Sequence, residues 1–447
     1  MPAPQLPARR GQRLLLGLLL LLLALPALQA KWPLVSVQPL GGYTQPTERV
    51  PFSWNTLWDN TFQPTLERYL NEKLGFRPWL VRLRNQLAYS GWHELLTKDI
   101  VLGKDQNLYQ QGTINEALGR RYLGEEEIAF RARRLRRVQD SLQAHGTQLL
   151  FLLAPGKPHL VPQYLPDSCN YGYQTRTTNY SMVCQQFAKY GVNTLDAAAW
   201  LLRRQQQGQE PYPLFPRTGT HWSGYAVALV ADTLFRRVEA LTGRDLPDFA
   251  QVGAPAVVTK AADLRFTDND LGALLNLARD IPPYPMAYPN VVFAPPAPSK
   301  PRLNALIIGD SYAQSFYGFY PYYDRLLTPT SRYWNYSEAV YWPEQTPGES
   351  RNVADFDLRQ QLRGRQLVLL VATQENLNRL GYGFIDKAFN ALYPLTPKDD
   401  ARVNDIIAEM KRSPEWLARI SQKASDGNIP VEQALRQDAV YMHDRER

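Results

Sequence analysis

A serine at a tight turn after a short apolar run is the first candidate for chemistry. Residues 304–309 read Asn-Ala-Leu-Ile-Ile-Gly, a pattern typical of a buried strand, and Gly309-Asp310-Ser311 ends it. A serine placed where the next helix begins projects its hydroxyl beside backbone N–H groups that can stabilise an oxyanion. Ser311 is therefore a candidate nucleophile. The alternative interpretation is a serine that caps the helix, preceded by a turn aspartate.

A serine nucleophile needs a base, and the sequence has five histidines. His221 has the most suitable setting, because Thr218–Ser223 is a polar turn directly before an apolar-faced helix that starts with Trp222. We therefore predict His221 as the base. The alternative is a structural histidine that caps this helix.

Other polar residues end predicted strands or lie beside the serine. Asp310 precedes Ser311 and is a third catalytic candidate, and Lys157 and Asn376 follow two other apolar runs. Lys157, Trp222, Tyr312 and Asn376 are candidate substrate-binding residues, although a residue such as Lys157 could equally finish a strand.

Metal and phosphate sites are not predicted. Residues 268–271, Asp-Asn-Asp-Leu, resemble the start of a calcium loop but lack the glycine and the distal glutamate of that pattern. The sequence shows no cysteine and histidine spacing suited to zinc and no glycine-rich phosphate loop.

Buried strands alternating with helices must position these residues. Apolar runs at 148–154, 304–309 and 366–372 predict strands, 192–195 and 333–336 are weaker candidates, and helical patterns lie between them. This alternation predicts an α/β domain with a parallel sheet covered on both faces. In such sheets, functional side chains gather at the carboxyl ends of the strands.

Three other segments complete the predicted organisation. Residues 65–96 predict two helices broken near Gly75 and Pro78, and the proline-rich residues 281–301 predict an ordered surface excursion. Beyond Pro397 the pattern changes to helices near 406–411, 414–423 and 431–439. We expect an α/β domain over residues 31–395 and a helical C-terminal extension over 396–447.

Composition places the chain among ordinary globular proteins. Its 447 residues are 44% hydrophobic, 21% charged and 11% aromatic, with a formal net charge of +8. The densest basic run, Arg131–Arg137, alternates with apolar residues as a solvated helix does, so a nucleic-acid partner is not predicted.

The N-terminus predicts export. Arg9, Arg10 and Arg13 precede an apolar run from Leu14 to Leu25, and residues 1–30 form either a signal peptide or an uncleaved membrane anchor. We expect the rest of the chain to lie outside the cytoplasm, in the periplasm.

Export also bears on the two cysteines of the chain. An oxidising compartment favours a disulfide between Cys169 and Cys184. Two free structural thiols are the alternative.

These motifs resemble the alginate O-acetyltransferase (AlgX/AlgJ) family, which carries an SGNH-hydrolase-like domain. The matching features are Thr220-His221-Trp222, Gly309-Asp310-Ser311, Asp270-Leu271, residues 101–105 and the strand followed by Pro155-Gly156-Lys157. The order also matches, since ordinary SGNH esterases place the serine before the histidine. The similarity spans about residues 50–395.

The resemblance implies a three-layer fold and transfer of an acetyl group to hydroxyls of an exported or cell-envelope polysaccharide. Ser311 would carry the acetyl group and His221 would act as the base. No cofactor would be required, and a multi-spanning membrane-bound O-acyltransferase could supply the acetyl groups.

One position departs from the family pattern. The family usually has an aspartate two residues before the histidine, where this chain has Gly219. An intact site therefore needs a carboxylate from another segment, such as Asp196, Asp268 or Asp310, and we favour Asp268 or Asp270 as the supporting acid. Two alternative functions remain open here: a glycan deacetylase or esterase, and a non-catalytic polysaccharide-binding assembly factor.

Overall fold

The computed structural model describes residues 8–42, 47–49, 51–169, 176–295, 297–343 and 351–446. Its strands are β1 Ile100–Leu102, β2 Leu108–Gln110, β3 Gln148–Ala154, β4 Thr194–Asp196, β5 Phe249–Gln251, β6 Ala256–Val258, β7 Met286–Tyr288, β8 Val291–Phe293, β9 Ala305–Gly309, β10 Arg332–Asn335, β11 Ala339–Trp342 and β12 Leu367–Thr373. Its first nine α-helices are α1 Ala8–Lys31, α2 Trp54–Trp58, α3 Phe62–Lys73, α4 Arg77–Trp92, α5 Gln111–Ala117, α6 Glu125–Ala144, α7 Lys157–Leu160, α8 Asn179–Tyr190 and α9 Ala197–Gln206. The others are α10 Gly224–Thr242, α11 Asp270–Leu274, α12 Ser311–Gly318, α13 Tyr322–Leu326, α14 Leu358–Leu362, α15 Phe384–Leu392, α16 Pro397–Arg412, α17 Pro414–Asp426 and α18 Val431–Glu446.

The central sheet has the strand order β11-β10-β9-β12-β3-β4 among the described residues. Five of its strands run parallel, as the sequence predicts, and the edge strand β11 pairs antiparallel with β10. The predicted parallel sheet is thus present, and one antiparallel strand is added at its edge. The physical reason is the short link of three residues between β10 and β11, which suits a hairpin and is too short for a crossover helix.

The apolar runs form strands because both faces of the sheet are covered. In β3, Leu150 and Leu152 belong to one core cluster, whereas Leu149, Phe151 and Leu153 belong to a cluster on the other face. The first cluster includes residues of α9, α10, α12 and α13, and the second includes residues of α6, α8, α14 and α15. The result is a three-layer arrangement.

The C-terminal helices α16, α17 and α18 share an apolar cluster of their own. Two ion pairs connect α6 to the C-terminal half of the chain. The Arg134 guanidinium lies 2.6 Å from an oxygen of Asp386 in α15 and 3.0 Å from an oxygen of Asp444 in α18. The predicted helical extension is present and its helices are longer than the sequence pattern indicates.

The N-terminal segment is helical in its described part. By length and composition, one helix among the described residues could cross a membrane, namely Gly11–Lys31 within α1. The first seven residues of the predicted export segment lie outside the described part of the chain.

The structure does not contain the predicted disulfide between Cys169 and Cys184. Both Cys169 and Cys184 are free thiols. The Cys184 Sγ donates instead to the Asp196 carboxylate at 3.5 Å, beside the Tyr180 hydroxyl, which donates to the same carboxylate at 2.9 Å. This local polar cluster satisfies the Cys184 thiol without a bridge.

Candidate active site

Ser311 opens α12 directly after β9. Asp310 precedes it as the helix N-cap, and its Oδ1 accepts the Tyr312 backbone N–H at 3.1 Å. Gly309 allows the turn to approach β12, because a Cβ at this position would lie 3.0 Å from both the Cβ and the carbonyl oxygen of Val371. The strand, the turn and the helix start together fix where the Ser311 hydroxyl points.

His221 lies in the polar turn before α10, as the sequence indicates. Its Nε2 is 2.7 Å from the Ser311 Oγ, and its ring is 4.8 Å from the Tyr312 ring, centre to centre. The side chain is almost fully buried. Two segments ninety residues apart in sequence therefore place a nucleophile candidate and a base candidate within hydrogen-bonding distance.

Asp270 supplies the carboxylate that the turn before His221 lacks. Its Oδ2 is 2.5 Å from the His221 Nδ1, and its Oδ1 accepts the backbone N–H groups of Thr220 at 2.9 Å and Leu271 at 2.7 Å. These two backbone donors fix the orientation of the carboxylate beside the imidazole. The geometry is that of a Ser-His-Asp triad in which the acid comes from a different segment than the family pattern implies.

Gly219, the position where the resemblance places the acid, has no room for a side chain. A Cβ there would lie 2.5 Å from the Pro216 Cγ, 2.9 Å from the Thr267 carbonyl oxygen and 3.1 Å from the Asp268 carbonyl oxygen. The loop that leads to Asp270 therefore occupies the space that an aspartate at 219 would need.

We expect Gly219→Asp to destabilise the fold by about 1–3 kcal/mol, the usual cost of overpacking a close contact. It should not raise the rate of acyl transfer, because the His221 Nδ1 already has the Asp270 carboxylate as its partner. Urea unfolding and ester turnover of the variant test both statements. A variant that turns over faster than the natural protein would contradict the assignment of Asp270.

Asp268, the other favoured acid, is fully buried and bonds elsewhere. Its Oδ2 accepts the Tyr288 hydroxyl at 2.7 Å. Burial raises the pKa of Asp268 to about 7, and the nearby Asp270 carboxylate acts in the same direction. The structure therefore pairs Asp270, and not Asp268, with His221.

The raised pKa of Asp268 predicts a pH dependence of stability. Between pH 4 and 7 the folded state keeps a proton that the unfolded state has lost, so stability is highest at low pH and falls as pH rises towards 7. Asp268→Asn should remove a decline of roughly 3 kcal/mol between pH 5 and pH 7, since each of these two pH units contributes about 1.4 kcal/mol. Urea unfolding at pH 5 and pH 8 checks this; equal pH dependence in both proteins would contradict it.

The prediction that Asp310 is a catalytic residue requires a correction. Its Oδ2 accepts hydrogen bonds from the Thr373 backbone N–H at 2.9 Å, the Thr373 hydroxyl at 2.8 Å, the Asn376 amide at 2.9 Å and the Tyr382 hydroxyl at 3.0 Å. All these donors lie on β12 or just after it. The carboxylate therefore ties the Ser311 turn to the neighbouring strand end, and His221 is not among its described partners.

The prediction that Lys157 binds substrate is also corrected, because its side chain is fully buried and cannot reach a substrate. Its Nζ donates to the carbonyl oxygens of Leu108 at 2.8 Å, Pro216 at 2.6 Å, Arg217 at 2.8 Å and Gly219 at 3.0 Å. Burial lowers the pKa of Lys157 to about 7, whereas the four carbonyl dipoles favour its charged form. The lysine thus fastens the loop before His221 to β2.

We expect Lys157→Met to destabilise the protein by about 3 kcal/mol or more, because several buried carbonyl oxygens would lose their donor. Ester turnover should fall as well, since the loop before His221 would lose its attachment. Urea unfolding and ester turnover measure both effects. The matched control is Lys260→Met, at an exposed lysine. Equal stability of the two variants would contradict this role.

The remaining predicted residues divide between the core and the cavity. Trp222 is fully buried and packs 5.2 Å from the Tyr312 ring and 5.7 Å from the Phe316 ring, so it is a core residue and its assignment to substrate binding is wrong. The Tyr312 hydroxyl donates to the Thr220 carbonyl oxygen at 2.7 Å. Tyr312 and Asn376 both line the cavity at Ser311.

The cavity at Ser311 and His221 has a volume of about 330 Å³. Besides the predicted residues, it is lined by side chains from the segment before β1, from α11 and from the strand ends: Lys98, Asp99, Ile100, Gln110, Leu271, Leu274, Tyr336, Thr373 and Glu375. Within the described part of the chain, no group of three or more His, Cys, Asp or Glu side chains could hold a metal ion.

Tyr336 is a functional candidate that the sequence did not reveal. It follows β10 with a φ of +51°, a conformation that a tyrosine rarely adopts. Its side chain lines the cavity together with Ser311 and Asn376, and burial raises the pKa of its hydroxyl to about 12. The phenol therefore stays protonated at neutral pH and can donate a hydrogen bond in the cavity. Its position at the end of the weak strand candidate 333–336 was the available signal.

The part of the chain that carries this site is similar to a known protein family. Residues 100–337 match the family model of the SGNH hydrolase-like domain of the acetyltransferase AlgX. The chain belongs to this family. Its fold class is accordingly SGNH-hydrolase-like, and all three triad candidates lie within the AlgX-matched residues.

Curated relatives carry a related name. A stretch of 135 residues is 31% identical to a probable alginate O-acetylase AlgJ of Pseudomonas syringae pv. tomato, covering 30% of this chain and 32% of the relative. A stretch of 179 residues is 27% identical to a probable alginate O-acetylase AlgJ of Pseudomonas putida, covering 40% and 42%. The matches thus span about a third to two fifths of the length of these relatives.

A solved structure gives a similar match. The O-acetyltransferase domain of Pseudomonas putida AlgJ aligns over 65% of this chain and 99% of its own length, with 20% identity and a TM-score of 0.39.

Proposed function

We propose that this protein transfers acetyl groups to hydroxyl groups of an exported or cell-envelope polysaccharide through an acetyl-Ser311 intermediate. The observation that carries this proposal is the continuous hydrogen-bonded chain from the Ser311 Oγ through both nitrogens of His221 to the Asp270 carboxylate. Membership of the AlgX family supports the reaction class.

In the first half-reaction, the His221 Nε2 takes the proton of the Ser311 hydroxyl as Oγ attacks the carbonyl carbon of an acetyl donor. The Asp270 carboxylate stabilises the imidazolium that forms. The oxyanion lies near the backbone N–H of Ser311 at the start of α12, and the Tyr336 hydroxyl, on a side chain that lines the same cavity, is a second candidate donor. As the C–O bond to the leaving group breaks, His221 returns the proton to it.

In the second half-reaction, a sugar hydroxyl replaces the leaving group. His221 takes its proton, the sugar oxygen attacks the acetyl carbonyl, and the bond to the Ser311 Oγ breaks as Oγ regains a proton. Water in place of the sugar would make the same site an esterase. The argument for a non-catalytic protein was the absence of an acid beside His221, and the Asp270 carboxylate beside the His221 Nδ1 removes that argument.

The acetyl donor and the location belong to the same proposal. The apolar stretch within α1 is compatible with a membrane anchor, and the resemblance implies a multi-spanning membrane-bound O-acyltransferase that supplies acetyl groups. We infer that α1 anchors the protein to the inner membrane and that the catalytic domain lies in the periplasm.

Transfer and hydrolysis can be separated with one experiment. The full-length protein is incubated with 4-nitrophenyl acetate, with and without alginate oligosaccharides, and the products are analysed by mass spectrometry. The proposal predicts acetylated oligosaccharide at the expense of free acetate, and neither product above background with Ser311→Ala. Ester consumption that yields free acetate alone, at every concentration of acceptor, would favour the esterase for this acceptor.

A further inference from the structure

The tryptophans of the chain are distributed unevenly. Five of its ten tryptophans lie between residues 32 and 92, and all five are 47% to 82% exposed: Trp32, Trp54, Trp58, Trp79 and Trp92. The other five, Trp200, Trp222, Trp334, Trp342 and Trp416, are partly or fully buried. Exposed large apolar side chains concentrated in one segment mark an interaction surface, since scattered single ones are normal.

Helix α4 shows which way this surface faces. Trp79, Leu80, Leu83 and Leu87 are exposed and, at 100° per residue, fall within one side of the helix. The opposite side, which also carries Trp92, contacts the catalytic domain. There the Asn85 amide donates to the Leu275 carbonyl oxygen at 2.8 Å.

The same segment is packed against the end of the apolar helix α1. The Gly75 backbone N–H donates to the Pro26 carbonyl oxygen at 3.1 Å, and a Cβ at Gly75 would lie 2.3 Å from that oxygen. Gln29 is buried and its side chain bonds to the backbone of Leu34 and Val35. The last turns of α1 are therefore built into the folded structure.

We propose that the aromatic collar, defined as Trp32, Trp54, Trp58 and Trp79 together with Leu80, Leu83 and Leu87, lies in the headgroup region of the bilayer that α1 crosses. This inference rests on the membrane anchoring proposed above. Continuity with α1 identifies the lipid surface as the occupant. Tryptophan is enriched at the interface between hydrocarbon and water. Residues 51–92 also carry five basic against three acidic side chains, which suits anionic lipids.

The collar would hold the catalytic cavity close to the membrane. Leu275, which bonds to Asn85 of α4, directly follows α11, the helix that begins with Asp270. Lys98 and Asp99, a few residues after α4, line the cavity at Ser311. An acetyl group that a membrane enzyme releases at the periplasmic face of the inner membrane would then have a short path to the Ser311 hydroxyl.

Tryptophan fluorescence in vesicles tests the collar. The purified full chain is reconstituted alone into phosphatidylethanolamine and phosphatidylglycerol vesicles, with or without lipids brominated on their acyl chains near the headgroup. Bromine quenches indole fluorescence at short range. The test variant combines Trp54→Phe, Trp58→Phe and Trp79→Phe, and the matched control is Trp416→Phe.

We expect brominated lipid to quench the natural chain and the Trp416→Phe control to the same extent, and the three-site variant to lose more than half of that quenching. Trp32 remains in the variant as an internal reference for the anchor. Equal quenching of the natural chain and the variant would overturn the collar but leave the anchor intact, and would assign the face to a protein partner or a second copy. No quenching in any chain would overturn both proposals.

Discussion

Replacing Ser311 by alanine is expected to lower acetyl transfer by roughly four to six powers of ten, the scale seen when the nucleophile of a serine triad is removed. The His221 Nε2 would then have no hydroxyl to activate, although the cavity would keep its shape. Folding should be almost unaffected, because the partly exposed Ser311 side chain bonds to His221 and belongs to no core cluster. Ester turnover and thermal unfolding measure the two effects.

The matched control is Ser315→Ala, one turn further along α12. Its hydroxyl is fully buried and has no hydrogen-bond partner among the described residues. This substitution should leave turnover within a few-fold of the natural protein. Similar activity losses in both variants would indicate that α12 itself is disturbed and would remove Ser311 from the mechanism.

Asp270→Asn carries the second largest expected effect. The asparagine preserves size, but it removes the charge that stabilises the His221 imidazolium and fixes its tautomer. In a serine triad this change costs roughly four powers of ten in kcat. The loss should appear in kcat at saturating ester, with little change in KM, because Asp270 acts through His221.

Asp268→Asn is the control that separates this effect from a general disturbance of the segment. Asp268 lies two residues earlier, is fully buried and bonds to Tyr288. We expect its substitution to alter the pH dependence of stability and to keep turnover within a few-fold. A large loss in Asp268→Asn with full activity in Asp270→Asn would reverse the assignment of the acid.

The elements of the fold were predictable because their patterns are local. The buried strands β3, β9 and β12 are continuous apolar runs, and the turns after them carry polar residues. The Ser311 turn and the polar turn with His221 could be predicted in the same way. The edge strand β11 could not, because its pairing depends on a hairpin with β10 and not on its own composition.

The choice of acid exceeded what local patterns contain. Asp268 and Asp270 are two residues apart, and the sequence does not show which one a turn will present to His221. That choice depends on the helix start at Asp270, whose backbone donors aim the carboxylate, and on the contact of Asp268 with Tyr288. The lack of room for a side chain at Gly219 is likewise a property of the packed loops.

The misassigned residues have a common physical reason. Lys157 and Asp310 follow strands, as binding residues often do. The polar atoms of both side chains, however, form long-range hydrogen bonds inside the protein. Those partners lie 59 and 63 residues away. Tyr336 was missed as a cavity residue for a different reason. Its side chain is positioned by a left-handed backbone conformation, which a tyrosine rarely adopts and which the sequence therefore does not predict.

The central claim is that Ser311 carries the acetyl group. Intact-mass and peptide mass spectrometry of the full-length protein, after brief incubation with 4-nitrophenyl acetate and acid quenching, tests it most directly. We predict a single added acetyl group on the peptide that contains Ser311, absent in Ser311→Ala and chased by an acceptor oligosaccharide. Continued ester turnover by Ser311→Ala at the natural rate, or an acetyl group located only on other residues, would contradict the account.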